Sequence, residues 1–593
     1  MQQKLPSTYD VLTQKYQSAK RIYDQTIILF DELAHYFRPP STGFGGGANY
    51  TGYANPTGQA YGELYDSTGV EASQMLVSFI IGALFNPTQE WSAVLLPTHI
   101  QRNKQISDAA KTRILEYISL VNKSCLEYVL DPSVNFYSSL ERALMEAVVF
   151  GAGFMLADTH PVTKHLRFRH VPLQNLMVER DEDGEANTIF RLFTLSVREV
   201  MERWPADTLP HGEYPKAWTE PKYDRDQMVN LCHAIIPHDP FLKVSDSKNM
   251  PKSRKRFRGY YYIPKDQITI THPGKDKADA QDVILDIGGF DRNPYIGITW
   301  QWFGNELVPS SPARNALPTM RNINDQYRNF KNGSEMQARP PFFAVANAIA
   351  GGSPQLGTLH NTNTVDPGMF EAAGGDIRKL FQYLTPPIDL QYTMMDIQNE
   401  RDAVRRMFFN DKIASADKAA EMREVEVNDK IQERMRALMV PQMRMYDQVA
   451  APVMTLVAEY MVKSDAVAAP STEMELTHAK FGKLYEFRFN AATARAFSQL
   501  ELDTMNRVSQ QFLLPLSQIF PGVLDTINIL NLTRAVYELS GINPVFMRTK
   551  EEFDAIQQQK QEQAQAETQA NTLQAGAAGI KDLAQAQALG GSM

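Results

Sequence analysis

Three Arg-Asn pairs, Arg314-Asn315, Arg321-Asn322 and Arg328-Asn329, recur at seven-residue intervals and are the most regular polar feature of the chain. In an α-helix seven residues make two turns with a drift of about 20°, so the arginines share one stripe and the asparagines share the stripe beside it. A row of guanidinium groups offers two chemistries: holding phosphates, or pairing with carboxylates of an adjacent helix. Asp396, Glu400 and Asp402 lie in a second charged helical stretch, Gln391 to Phe409, and are the carboxylates available for the second chemistry. Both roles stay open for Arg314, Arg321 and Arg328. Exposed like charges along one helix repel, which favours pairing.

Other constellations are weaker. Cys232, His233 and His238 are metal ligands by type, but no second cluster completes a set of four, and the reading is of residues at strand ends with no metal. Asp181-Glu182-Asp183 lacks the spacing and distal glutamate of a calcium loop and reads as a solvated turn. Lys252, Arg254, Lys255, Arg256 and Arg258, with Phe257 and Tyr260 to Tyr262 nearby, form a basic patch interleaved with aromatics. Such a patch suits nucleic acid or an acidic partner; a solvated loop is the plainer reading. Gly43 and Gly45 to Gly47 are followed by no Gly-Lys-Ser/Thr and cradle no phosphate. No Walker motif, Gly-x-Ser-x-Gly or metalloprotease motif occurs, and no acidic pair stands isolated in an apolar setting. The chain reads as a non-enzyme without a cofactor.

The elements that must position these residues are mostly helical, with strands between. A helix over 9–37 stops before Pro39-Pro40, and a Gly-rich polar loop, 41–62, follows. Thr68 and Glu71 have the spacing of a capping box for a helix that ends at Asn86-Pro87. Helices at 102–130 and 136–150 lead into strands at 154–157, 165–171, 176–180 and 188–194, with Asp183-Gly184 as a hairpin turn. Ser196 and Glu199 cap a short helix reaching Trp204-Pro205; further strands are expected at 256–263, 267–271 and 282–287. The arginine helix ends by Pro340-Pro341, and the segment to Pro386-Pro387 is broken by turn residues but has β-like runs such as Phe342 to Val345. After the second charged helix come a polar loop, Asn410 to Asp417, and a long helix to about Met461, with kinks expected near Pro441 and Pro452. Beyond it lie a linker at 465–475, a strand at Tyr485 to Phe489, helices at 493–514 and 524–540, and a Gln- and Ala-rich tail from about 550.

The totals narrow the class. At 593 residues the chain exceeds one core, and 43% hydrophobic with 22% charged residues is ordinary globular composition. Two cysteines build no disulfide framework and fit folding in a reducing cytoplasm. Met1 to Asp10 has no basic segment followed by an apolar one, and the run Met75 to Phe85 falls short of the roughly 20 residues that span a bilayer, so no signal peptide and no membrane partner are expected. A net charge of −8 argues against a tight, sequence-reading DNA binder.

Helix, β-containing insert, helix back, small loop, long helix: in this order the chain resembles the portal (head-to-tail connector) proteins of short-tailed, T7-like bacteriophages. The residues that carry the likeness are Asp66-Ser67-Thr68 opening an apolar helix, Asn86-Pro87 followed by Trp91, Gly151-Ala152-Gly153 before a strand, Ser311-Pro312 through Ala316-Leu317-Pro318, and Pro340-Pro341. The chain departs from the family's Thr-Ala-x-Glu pattern at Lys418-Ala419-Ala420-Glu421, where Lys418 replaces the threonine.

The resemblance implies an α+β, mainly helical portal fold: a wing over 1–300, stem helices at 301–339 and 389–409, a clip at 340–388, a tunnel loop at 410–417, a long wing/crown helix at 418–464, a crown at 465–549 and a tail at 550–593. It implies a homo-oligomeric ring of 12 at one capsid vertex of the virion, assembled in the host cytoplasm, through which double-stranded DNA is packaged and ejected. Its implied partners are the terminase large subunit, a tail adaptor, the major capsid and scaffolding proteins and internal core proteins. Asn410, Asp411, Lys412 and Lys418 are then candidates to face DNA. Twelve copies would carry a charge of roughly −96, which suits a conduit that DNA must not stick to. Another structural virion protein, an internal core or scaffold protein, is the alternative.

Overall fold

Helical and strand patterns alternate along the sequence, and the chain folds accordingly as α+β, with helices set against antiparallel sheets. The structure, a computed structural model, describes residues 8–39, 64–95, 106–160, 163–210, 224–237, 256–264, 284–338, 342–344, 367–376, 381–383, 390–410, 443–467 and 486–489, single positions within these spans excepted, with Tyr214, Trp218, Lys560 and Gln563 besides.

The chain begins with α1 (Thr8–Phe37), α2 (Thr68–Leu84), β1 (Ser92–Leu95), α3 (Asp108–Leu130) and α4 (Phe136–Phe150). The strand-rich part follows: β2 (Ala152–Thr159), β3 (Leu166–Val171), β4 (Leu176–Arg180), β5 (Ala186–Ser196), α5 (Val197–Arg203), β6 (Met228–Pro237), β7 (Phe257–Tyr262), β8 (Ile284–Phe290) and β9 (Tyr295–Thr299). Then come α6 (Pro312–Ala338), β10 (Phe342–Ala344), α7 (Pro367–Ala372), β11 (Phe381–Tyr383), α8 (Leu390–Met407), α9 (Ala451–Lys463) and β12 (Glu486–Phe489). Contacts divide the chain into two units: Met1–Phe85 with Val129–Val453, and Asn86–Tyr128 with Met454–Met593.

In the first unit β4 to β8 form a five-stranded antiparallel sheet in sequence order. Because side chains alternate across a strand, Phe190 and Leu192 of β5, Cys232 and Ala234 of β6, and Tyr260 and Tyr262 of β7 share one face, where Tyr9, Leu12 and Tyr16 of α1 cover them. The opposite face carries Leu231 and Leu285, covered by Val197 and Val200 of α5 and by Trp204 and Trp218. Both faces are buried, so β6 reads as an almost unbroken apolar run rather than an alternation, and the sequence suggests only a strand end near Cys232 and His233, not the extent of the strand. β9 is missed for the same reason: all but one of its residues are buried. The capping box of α5 forms as expected, Ser196 Oγ accepting from Glu199 N and Glu199 Oε2 from Ser196 N.

A smaller sheet, ordered β3-β2-β9, lies against α4. Gly153 lets that helix approach: a Cβ there would sit 1.9 Å from the Ala143 carbonyl oxygen. The second unit holds the antiparallel pair β1 and β12, with Ser92 and Asn122 joined by two hydrogen bonds, at 3.0 and 2.9 Å.

One expectation needs correction. Thr68 is not the N-cap of α2; it is the first helical residue, its N–H taken by Asp66 Oδ1 at 2.9 Å, while Glu71 accepts from the Ser67 hydroxyl at 2.8 Å. The hairpin turn expected at Asp183-Gly184 falls between the antiparallel strands β4 and β5, in a loop closed by Asp181, whose carbonyl accepts from Gly184 N and whose carboxylate accepts from Glu185 N. The irregularity expected near Pro452 takes the form of a π-turn, Tyr446–Ala450, which accommodates a residue that cannot donate to the carbonyl four positions back. The strand expected at 267–271, the segment around Pro441, the C-terminal helices and, Lys560 and Gln563 apart, the tail lie outside the described residues.

Candidate functional site

The arginine repeat sits on α6, and the fold fixes the start of that helix tightly. Ser311 Oγ accepts from Arg314 N at 3.0 Å and donates to the Val149 carbonyl at the end of α4 at 2.8 Å, and Pro312 occupies the first helical position, where no N–H is needed. Gly151, with φ +90°, lets the preceding loop pass: a Cβ would lie 2.2 Å from the Pro309 carbonyl oxygen. Ala313, Ala316, Leu317, Met320 and Ile323 bury the apolar face of α6, and Ile397 and Val404, seven apart, bury that of α8.

The two helices contact each other and run antiparallel, because Asn322 meets Glu400 while Gln326, further along, meets the earlier Asp396. Asn322 Nδ2 donates to Glu400, and Gln326 Nε2 donates to Asp396 Oδ2 at 2.9 Å. Burial holds the Glu400 carboxyl above its usual range; neighbouring Asp396 adds to the rise and the Asn322 amide opposes it. Beside this seam Arg401 Nε and Nη2 donate to Asp66 Oδ2 at 2.8 and 2.6 Å, and its guanidinium lies 5.3 Å from the Tyr327 ring. Lys331 covers the Tyr65 and Tyr327 rings at 5.5 and 5.1 Å, and Asn324 Oδ1 accepts from Tyr65 N at 2.7 Å. The start of α2 is thereby tied to both long helices. Between them β10 and β11 pair antiparallel, Phe342 opposite Tyr383, so the intervening segment returns on itself.

Within the chain the arginines do not meet the carboxylates that the spacing offers them. Arg321 donates to Glu32 of α1, Arg314 Nη1 lies 3.4 Å from Glu306 and donates to the Val308 carbonyl at 3.1 Å, and Asp402 takes Arg405 at 3.0 Å. Exposed Arg328 has no ion pair or hydrogen bond among the described residues. The reason is geometric: the stripe beside the arginines faces α8, and short amides bridge a close helix pair, while guanidiniums on long stems reach past it.

Asn410 is buried, not outward-facing, and its Nδ2 donates to the Ala72 carbonyl at 3.2 Å. Asp411, Lys412 and Lys418 lie outside the described residues, as do Lys252, Arg254, Lys255 and His238. Arg256 is exposed and lies 5.4 Å from the Phe257 ring; Arg258 is half-buried on β7. Cys232 and His233 point to opposite faces of β6 and cannot share a ligand. The Asp66–Arg401 pair was missed by sequence reading, its partners being 335 residues apart; its one signal is an aspartate just ahead of an apolar helix. Among the described residues no group of His, Cys, Asp or Glu could hold a metal, and no helix is long and apolar enough to cross a membrane. The site is therefore a scaffold: two antiparallel helices locked by buried and charged polar contacts, with a small hairpin held at their far end.

A helix pair framing a β-containing insert is the architecture in which comparison with known proteins is informative. Residues 10–547 match the family described as bacteriophage head to tail connecting protein, and the chain belongs to that family. It is 21% identical over 545 residues to the portal protein of Salmonella phage epsilon15, covering 88% of this chain and 87% of that protein. To the probable portal protein of Bordetella phage BPP-1 it is also 21% identical, over 363 residues, covering 59% of this chain and 56% of that protein. A chain from the virion of a native gene transfer agent particle aligns over 75% of this chain and 86% of its own length with a TM-score of 0.29 and 10% identity, a score from which nothing is argued.

Proposed function

We propose that this chain is the portal of a tailed phage: copies close into a ring at one capsid vertex, and double-stranded DNA passes through it during packaging and ejection. The observation that carries this is the family match over residues 10–547; similarity to two phage portal proteins supports it. The role is structural, an assembly part of the virion and not an enzyme.

In this reading 1–300 form a wing, α6 and α8 within 301–339 and 389–409 form the stem, 340–388 form a clip, 410–417 a tunnel loop, 418–464 a long wing/crown helix, 465–549 a crown and 550–593 a tail. A stem must hold its shape while DNA moves past it, and the antiparallel pair α6 and α8, stitched by Asn322–Glu400, Gln326–Asp396 and Arg401–Asp66, suits that demand. Exposed Arg328 is the member of the stripe left for a neighbouring copy or for DNA. The ring has twelve members joined by heterologous contacts, which close only when the rotation between neighbours returns on itself. Clip and wing meet, in turn, the terminase large subunit, the tail adaptor, and the capsid, scaffolding and internal core proteins; assembly takes place in the host cytoplasm. Lys412 and Lys418 are the loop cations nearest the passing DNA.

Negative-stain electron microscopy and mass photometry of the purified full chain test this. Rings of one dominant mass with an axial opening are expected. Stable rods or fibres would overturn the proposal in favour of an internal structural protein.

A further inference from the structure

Between the two sheets of the first unit lies a cluster of cationic groups that the helix pair does not use. On the larger sheet Arg191, His233 and Tyr261 stand side by side across β5, β6 and β7, each opposite the next in register. On the smaller sheet Asp158 of β2 faces Arg167 of β3, Arg169 lies two residues further on the same face, and Tyr295 of β9 joins them through its position opposite Leu156. The two faces meet where His233 Nδ1 lies 2.8 Å from the Tyr295 hydroxyl. Tyr261 stacks flat on His233, centroids 4.1 Å apart, and Arg203 at the end of α5 lies 5.6 Å from the Tyr261 ring.

Arg167, Arg169, Arg191 and Arg203 gather near Asp158, which takes Arg169 at 3.0 Å, and the row on the larger sheet ends at Asp286 of β8, exposed and opposite Tyr261. Several of their donors are spare. Arg167 Nε, Arg169 Nε, Arg191 Nε and His233 Nε2 are all buried with no hydrogen-bond partner in the structure. The Tyr295 hydroxyl occupies Nδ1 of His233, and Nε2 on the other side of the ring is left without a partner. Leaving buried donors unmade is costly, and an uncompensated group of guanidiniums repels itself. A carboxylate has two oxygens and one charge; three spare guanidinium N–H groups and the partnerless His233 nitrogen, among arginines that outnumber the carboxylates, match a tetrahedral, multiply charged oxyanion better.

We propose that the seam where these sheets meet, with Arg167, Arg169, Arg191, Arg203 and His233 grouped at it, binds a phosphate-class oxyanion. It is a site apart from the helix pair, and it does not depend on the portal reading. Two sources share the chemistry: free inorganic phosphate, and the phosphodiester of nucleic acid.

The test is equilibrium binding of inorganic phosphate to the full chain, followed by titration calorimetry at constant ionic strength in chloride, with the thermal midpoint as a second readout. Saturable binding at one site per chain, with a raised midpoint, is expected. Arg203→Gln, at an exposed position, and Arg191→Lys, which keeps the charge but loses the fork, should each weaken phosphate binding about ten- to a hundredfold, the range for losing a charge-assisted hydrogen bond. Arg198→Gln, on the same short helix but paired with exposed Asp226, should leave it unchanged. A short DNA duplex added to the phosphate-loaded protein assigns the source: displacement identifies phosphodiester, and retention identifies free phosphate. Absence of phosphate binding, or binding that Arg203→Gln and Arg191→Lys leave intact, would overturn the proposal.

Discussion

Removing the guanidinium of Arg401 would strand the Asp66 carboxylate, which is 1% exposed and otherwise faces the Thr68 amide. Breaking a buried pair from one side costs about 3 kcal/mol, so Arg401→Ala should lower stability by that order in urea unfolding. Arg321→Ala removes a pair whose partners are 50% and 31% exposed, and solvent leaves such a pair worth less than about 0.5 kcal/mol. His233 supplies a pH signature. Burial, then Arg191, Arg203 and Arg169, hold its pKa well below the ordinary value, so the folded chain keeps it neutral where the unfolded chain protonates it. The unfolded state then binds the extra proton below about pH 6.5, and stability falls as pH drops through that point, by up to about 1.4 kcal/mol per pH unit. Unfolding midpoints measured from pH 7.5 to 5 should show this slope, and His233→Gln should flatten it. The sequence displays His233 beside Cys232 as though the two might act together. Only strand alternation, once the strand is known, separates them.

At the scale of elements, the contact between α4 and β2 depends on Gly153. Gly153→Ala would drive a methyl group into the Ala143 carbonyl and should destabilise the chain by about 3 kcal/mol, read from the thermal midpoint. Gly82→Ala is the matched contrast: that glycine lies inside α2 with open space around its Cβ position, and alanine there should stabilise by about 0.8 kcal/mol. The boundaries of α4, β4, α5 and α8 and the end of α6 are legible from sequence to within about two residues, because caps, prolines and periodicity act locally. β6 and β9 are not, because a strand buried on both faces loses the alternation that reveals it. The capping of α2 is half legible: the right residues are present, but Asp66 rather than Thr68 is the side chain that reaches the free amide.

For the molecule as a whole, charge is the governing quantity. A chain of net charge −8 gathers few phosphates, and the purified protein should fail to retard duplex DNA in a gel at physiological salt, even though the proposed function is to pass DNA. Strong, salt-sensitive retardation would show a basic channel that the net charge conceals. Read without a fold, the order of helix, broken insert and returning helix carries the family resemblance, and the seven-residue stripe and the acidic balance are legible as local or additive properties. Tertiary structure alone decided the partners. Arg321 meets Glu32 across 289 residues and Arg401 meets Asp66 across 335, while Asn322 and Gln326 take the carboxylates that spacing offered to arginine. A helical repeat specifies which residues share a stripe, but not which way the stripe faces; that depends on the apolar face buried against the rest of the chain, and so on contacts that no local pattern encodes.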